Sequence, residues 1–322
     1  MAKGTLAAYL DFAPREESFR DAALAGLTRR YKAIPCRFLY DAQGSALFER
    51  ICDLPEYYVT RAEIALLAEH AGEIAARIGP RARLIEFGSG ASTKVRLLLD
   101  ALDKPSSYVP IDISGGMLHS AASSIAADFP ALEVMAVCAD YMDPARLPSL
   151  VAATRDRRVG FFPGSTIGNL TPDEAVRFLR GCRALLGPGG AMIVGADLKK
   201  DPRVLHAAYN DAAGVTAEFT LNLLVRMNRE LGADFNLKRF AHDAFYNEAA
   251  GRIEIYIRSL MDQLVTLAGE RIAFFADERT HVEYSYKFSV DEFRRLATRA
   301  GFKPLDCWTD SENRFGVHYL VA

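Results

Sequence analysis

The sequence predicts an α/β protein: an open, mostly parallel sheet with helices on both faces, joined by a second, smaller α+β domain. Three observations carry this. Half of the 322 residues are hydrophobic, enough for a full core. Between residues 82 and 197, short near-continuous apolar runs alternate with amphipathic stretches, as buried parallel strands and their covering helices do. After 197 that alternation stops and period-two runs take over, which reads as an insertion.

The strands are expected at ARLIEFG (82–88), YVPIDI (108–113), LEVMAVCAD (132–140), VGFFPGS (159–165) and AMIVGAD (191–197). Helices fall between them, the first through KVRLLLDAL. The helix after 170 is well signalled, with Thr171 as N-cap, Pro172 at the first position, Glu174 completing a capping box, and the stop at Gly187-Pro188-Gly189-Gly190. Residues 201–231 read as helical, and RIEIYIRSL, LVTLAG and HVEYSYKF as antiparallel strands. A last helix (290–300) leads to FKPLDCWTD and FGVHYLVA, expected as a terminal hairpin that completes the sheet. Five parallel strands followed by an antiparallel pair resemble the class I, Rossmann-like methyltransferases. The domains expected are 61–196 plus 287–322 for the sheet, and 1–60 plus 197–286 for a substrate-binding α+β domain.

Composition excludes several classes. Lysine plus arginine (39) nearly balances aspartate plus glutamate (41), so no basic footprint for nucleic acid exists. The five cysteines are scattered and form no C-x-x-C pair, which reads as reduced thiols. His70, His119, His206, His242, His281 and His318 lack ligand spacing, so no metal is expected. The amino terminus has no continuous apolar h-region and no run reaches membrane-spanning length, so a cytoplasmic protein without membrane attachment is expected, read here as a monomer.

Residues 86–94, EFGSGASTK, follow one strand and open a helix. Gly88 and Gly90 allow a tight turn and close backbone approach, and the helix start presents unpaired N–H groups. Position 93 is Thr, so the G-x-G-x-x-G of dinucleotide sites is incomplete. Asp112 closes the next strand and Asp140 the one after, where acids suit ribose hydroxyls and an adenine amino group. The short GSG loop and the antiparallel sheet end favour S-adenosylmethionine over a dinucleotide.

FFPGSTIGNL (161–170), YNDAAGVT (209–216), NRELGAD (228–234) and EYSYKF (283–288), together with the glycine loop, closely resemble the histidine N-α-methyltransferases of ergothioneine biosynthesis, from about residue 33 to the carboxyl terminus. The resemblance implies S-adenosylmethionine-dependent trimethylation of histidine to hercynine without a metal. It assigns Gly88, Lys94, Asp112, Asp140 and Tyr141 to the cofactor, and Tyr57, Gly164, Asn169, Tyr209, Glu283 and Ser285 to histidine. Tyr40 and Phe48 match aromatic positions beside the substrate, with Tyr40 expected to relay the ammonium proton.

The residue types make chemical sense. Asn169 and Tyr209 are neutral donors that can hold an α-carboxylate without a permanent cation beside the sulfonium. Glu283 and Ser285, two apart on a strand, share a face and can meet both imidazole nitrogens. Ile255 stands where the family carries Met near the imidazole. Three other readings are open: an N-α-methyltransferase for another aromatic amino acid (Trp, Tyr or Phe), a non-catalytic module that binds S-adenosylmethionine or an amino acid, and a protein amino-terminal methyltransferase.

Overall fold

The computed structural model describes residues 5–12, 18–90, 92–142, 144, 147, 151 and 153–322. In chain order it begins with β1 (Ala8–Asp11), α1 (Phe19–Leu27), α2 (Ala42–Cys52) and α3 (Val59–Ile78). An alternating stretch follows: β2 (Arg83–Phe87), α4 (Thr93–Ala101), β3 (Ser107–Asp112), α5 (Gly115–Asp128), β4 (Glu133–Cys138), β5 (Arg158–Phe162), α6 (Pro172–Leu186) and β6 (Ala191–Asp197). Then come α7 (Pro202–Tyr209), α8 (Val215–Leu231), β7 (Phe240–Asn247), β8 (Arg252–Ser259), β9 (Gln263–Leu267), β10 (Glu270–Phe274) and β11 (Arg279–Tyr286). The chain closes with α9 (Val290–Arg299), β12 (Lys303–Thr309) and β13 (Phe315–Val321).

Contacts divide the chain into two units, one of residues 1–15, 61–199 and 288–322, the other of 16–60 and 200–287. The first unit holds an eight-stranded sheet in the order β1-β4-β3-β2-β5-β6-β13-β12. Every pairing from β1 to β6 is parallel, β13 runs antiparallel to β6, and β12 to β13. Strands β2 and β6 are buried at every position, which is why they read as unbroken apolar runs. The terminal hairpin and the Thr171 capping box form as the sequence predicts: Thr171 Oγ1 accepts from the Glu174 N–H, and Glu174 accepts from the Thr171 N–H at 2.9 Å.

The amino end departs from expectation. The 1–60 segment was expected outside the sheet, yet Ala8–Asp11 adds a parallel edge strand beside β4. Four residues of alternating half-buried and exposed side chains pair through their backbone, and so short a stretch leaves little hydrophobic signal.

In the second unit, β11, β8 and β7 form a three-stranded antiparallel sheet. LVTLAG does not join it: β9 pairs with β10 across Ala268 and Gly269, both at positive φ, as a two-residue hairpin turn requires. The expected helical stretch is broken into α7 and α8. A register shift between His281 and Glu283 sets the chemistry of β11. His281 pairs with Tyr256 on one face, and after the shift Glu283 pairs with Ile255. Without that bulge, Glu283 would follow His281 onto the same face.

Candidate active site

In the first unit the strand order reverses beside β2, whose neighbours are β3 and β5, so the loops after β2 and β5 leave the sheet at a topological switch point. The loop after β2 carries Gly88 at φ +74° and Gly90 at φ +44°. A Cβ on Gly88 would lie 3.1 Å from the Tyr141 hydroxyl, whereas around Gly90 such an atom would meet nothing within 4 Å. Asp112 accepts N–H bonds from Ser114 at 2.9 Å and from Gly90 at 3.4 Å, and so ties the end of β3 to the glycine loop. Burial raises its pKa above the ordinary carboxylate value, against the pull of those N–H groups. Asp140 is exposed and accepts from the Met142 N–H at 2.9 Å. Ser89 Oγ is buried with no hydrogen-bond partner among the described residues. An open glycine, an orphaned hydroxyl and a strand-end acid together fit a ligand with ribose hydroxyls and an α-amino-acid tail.

Beneath this loop lies a buried ionic cluster. Glu63, on α3 and fully buried, pairs with Lys94 of α4 at 2.6 Å and accepts from the Gly164 N–H at 2.8 and 3.0 Å. Gly195 of β6 makes the room, because a Cβ there would fall 1.9 Å from the Glu63 carboxylate. One carboxylate thus fixes both the first turn of α4 and the loop after β5. Glu86, at the end of β2, bonds the Tyr108 hydroxyl, and burial pushes its pKa up to about 8. Gly164 sits at φ +81°, and Asn169 ends the short 3-10 turn Thr166–Asn169 just ahead of α6.

In the second unit, the predicted aromatic residues form one contiguous chain of rings. Tyr40 meets Phe48 (centroids 5.6 Å), Phe48 meets Tyr57 (6.3 Å) and Tyr57 meets Tyr209 (6.2 Å), each edge to face. Phe219 of α8 backs both Tyr40 and Phe48. The Tyr209 hydroxyl lies 2.9 Å from Ser285 Oγ, and Lys287 Nζ donates to both at 2.9 Å. His242 braces the Tyr209 carbonyl at 2.9 Å, and burial lowers its pKa, which keeps the ring neutral. Glu283 and Ser285 are both buried, and the Glu283 carboxyl is pushed up to about 7 by burial, with the nearby Lys287 ammonium pulling it down. Ile255, directly opposite Glu283, shares its face of the sheet.

A family model described as histidine-specific methyltransferase, SAM-dependent, matches residues 19–322. The chain belongs to this family. It is 40% identical to a histidine N-alpha-methyltransferase of Mycolicibacterium smegmatis, over 98% of this chain and 99% of that one. A protein of the same description from Mycobacterium tuberculosis is 38% identical over 93% of this chain and 94% of its own. Ergothioneine biosynthesis protein 1 of Neurospora crassa is 34% identical over 90% of this chain, which spans 33% of that longer protein.

Within this SAM-dependent family assignment, the geometry adds residues that sequence reasoning missed. Glu63 looks like one more acid on an amphipathic helix, since its partners lie 31 and 101 residues away. Lys287 continues the alternation begun by Glu283 and Ser285, and that period-two pattern was the signal available. The Tyr209 hydroxyl itself lies 2.9 Å from the buried Lys287 ammonium.

Proposed function

We propose that this chain transfers methyl groups from S-adenosylmethionine to the α-amino group of L-histidine, three in succession, giving hercynine for ergothioneine biosynthesis. The observation that carries the reading is the Glu283 and Ser285 pair. A buried carboxyl and a buried hydroxyl share one face of β11, beside Ile255, in a chain 40% identical to a histidine N-alpha-methyltransferase.

S-adenosylmethionine supplies an electrophilic sulfonium methyl. Gly88, Gly90, Asp112 and Asp140 would hold the nucleoside, with Tyr141 lying over Gly88 and Lys94 near the amino-acid tail. The N–H of Gly164 is taken by Glu63, so a part for Gly164 in holding histidine falls to its carbonyl, an acceptor suited to an ammonium. Asn169 and Tyr57 take the amino acid's charged end, and Glu283 accepts from an imidazole N–H. The displacement needs an unprotonated amine aimed in line at the methyl, so positioning and exclusion of water carry most of the rate. Tyr40, 39% exposed at the end of the aromatic chain, relays the ammonium proton. Its ring and that of Phe48 favour the growing quaternary ammonium by cation–π attraction of about 0.5–2 kcal/mol each.

The reading includes a monomer that works in the cytoplasm and needs no metal. Among the described residues no group of three or more His, Cys, Asp or Glu could hold one, and no helix is long and apolar enough to cross a membrane. The test is incubation of the protein with S-adenosylmethionine and each of the twenty amino acids, with mass spectrometry of the products. Histidine alone should gain three methyls. Preferential methylation of tryptophan, tyrosine or phenylalanine would replace histidine with an aromatic substrate, and no methylated amino acid would end the proposal.

A further inference from the structure

The Tyr209, Ser285 and Lys287 triangle has a fixed hydrogen-bond count. Its three heavy-atom separations are each 2.9 Å, and Lys287 is 2% exposed. An ammonium has three donors and no acceptor. Both hydroxyl oxygens therefore accept from Lys287, and neither hydroxyl proton can point back at it. One of the two protons is used between Tyr209 and Ser285. The phenol is the more acidic partner and hence the better donor. Tyr209 thus donates to Ser285 Oγ, and the Ser285 proton is left to point away from the triangle.

We infer that Lys287 is a positioning residue for substrate choice: by filling the acceptor sites of Tyr209 and Ser285, it fixes Ser285 as a donor toward the substrate. This rests on the histidine reading above. Ser285 then presents a donor and Glu283, two residues earlier on the same face, an acceptor. Neutral imidazole offers the complement, one nitrogen lone pair and one N–H. A ring with no nitrogen offers neither, and leaves the outward Ser285 proton without an acceptor. Without the ammonium, the Ser285 proton is free to turn back toward Tyr209 and the preference for an imidazole lone pair weakens.

The experiment compares dissociation constants of histidine and of β-(2-thienyl)alanine, an isostere without ring nitrogens, by calorimetry in the presence of S-adenosylhomocysteine. Wild type, Lys287→Met, Lys287→Gln, Ser285→Ala and the K287M/S285A double variant are measured. The inference expects the ratio favouring histidine to fall about 10-fold in Lys287→Met, through weaker histidine binding with the thienyl analogue little changed. In Lys287→Gln, which retains N–H donors, it should fall about 3-fold. K287M/S285A should be no less selective than Ser285→Ala alone, because Lys287 acts through that hydroxyl. A purely structural lysine would weaken both ligands alike and leave the ratio unchanged. An unchanged ratio in whichever lysine variant folds, or additive losses in the double variant, would overturn the role of Lys287. A wild-type protein with no preference for histidine would instead overturn the substrate reading, and this inference with it.

Discussion

Replacing Glu283 by Gln should make the ligand-free protein more stable while it disables turnover of histidine. Burial raises the Glu283 carboxyl from 4.5 to about 7. In the unfolded chain it ionises near 4.5, so between 4.5 and 7 the folded state binds the extra proton. Stability contributed by this group is full at low pH and is lost as pH rises through that window. At pH 8 the gap amounts to about 3 kcal/mol, at about 1.4 kcal/mol per pH unit. Gln removes this cost but leaves Lys287, whose ammonium favours the ionised carboxylate, without that neighbour, so a net gain of about 1–2 kcal/mol is expected. Urea denaturation followed by circular dichroism measures it, at pH 8 and again at pH 5, where the advantage should shrink below about 1 kcal/mol. In the same variant kcat/KM for histidine should fall about 10- to 100-fold, the worth of a charge-assisted hydrogen bond. A variant less stable than wild type at pH 8, or equally active on histidine, would refute the reasoning.

Three further outcomes follow from the first unit. Glu63→Gln removes the partner of Lys94 and should cost about 3 kcal/mol of stability, read by urea denaturation; an unchanged midpoint would show the pair to be incidental. Gly88→Ala places a Cβ at φ +74° and 3.1 Å from the Tyr141 hydroxyl, and should weaken S-adenosylhomocysteine binding at least 10-fold by calorimetry, with about 1 kcal/mol or more lost in stability. His318, fully buried against Phe293, has its pKa lowered to about 3 by burial. Its stabilising effect is full above 6.5 and is lost as pH falls below that, by about 2 kcal/mol at pH 5. His318→Leu should flatten the fall in Tm between pH 7.5 and pH 5, and an unaltered slope would assign the acid sensitivity elsewhere.

What the sequence disclosed and what it hid have physical causes. The parallel strands were legible because burial on both faces makes them unbroken apolar runs, and α6 because Thr171, Pro172 and Glu174 write a start signal in local chemistry. Asp112 was legible as a strand-end acid, and its bond to Gly90 follows from that position. Glu63 was not, because its meaning lies in the Gly195 vacancy and in Lys94, both remote in sequence. β1 and β7 were missed for a related reason: AYLD and FAHDAFYN alternate too weakly to announce the partners that pair with them. The bulge at His281 was equally silent, although it decides which face Glu283 occupies. Glu283 and Ser285 were found from spacing and family resemblance, while the lysine two residues beyond them went unread.

The central claim is transfer to the α-amine of histidine. Its most direct test is NMR of the product formed from histidine and S-adenosylmethionine carrying a ¹³C-labelled methyl group. The account predicts one labelled resonance from three equivalent methyls on the α-nitrogen, with the imidazole nitrogens unmethylated. A labelled methyl on an imidazole nitrogen, or no label in histidine at all, would contradict it.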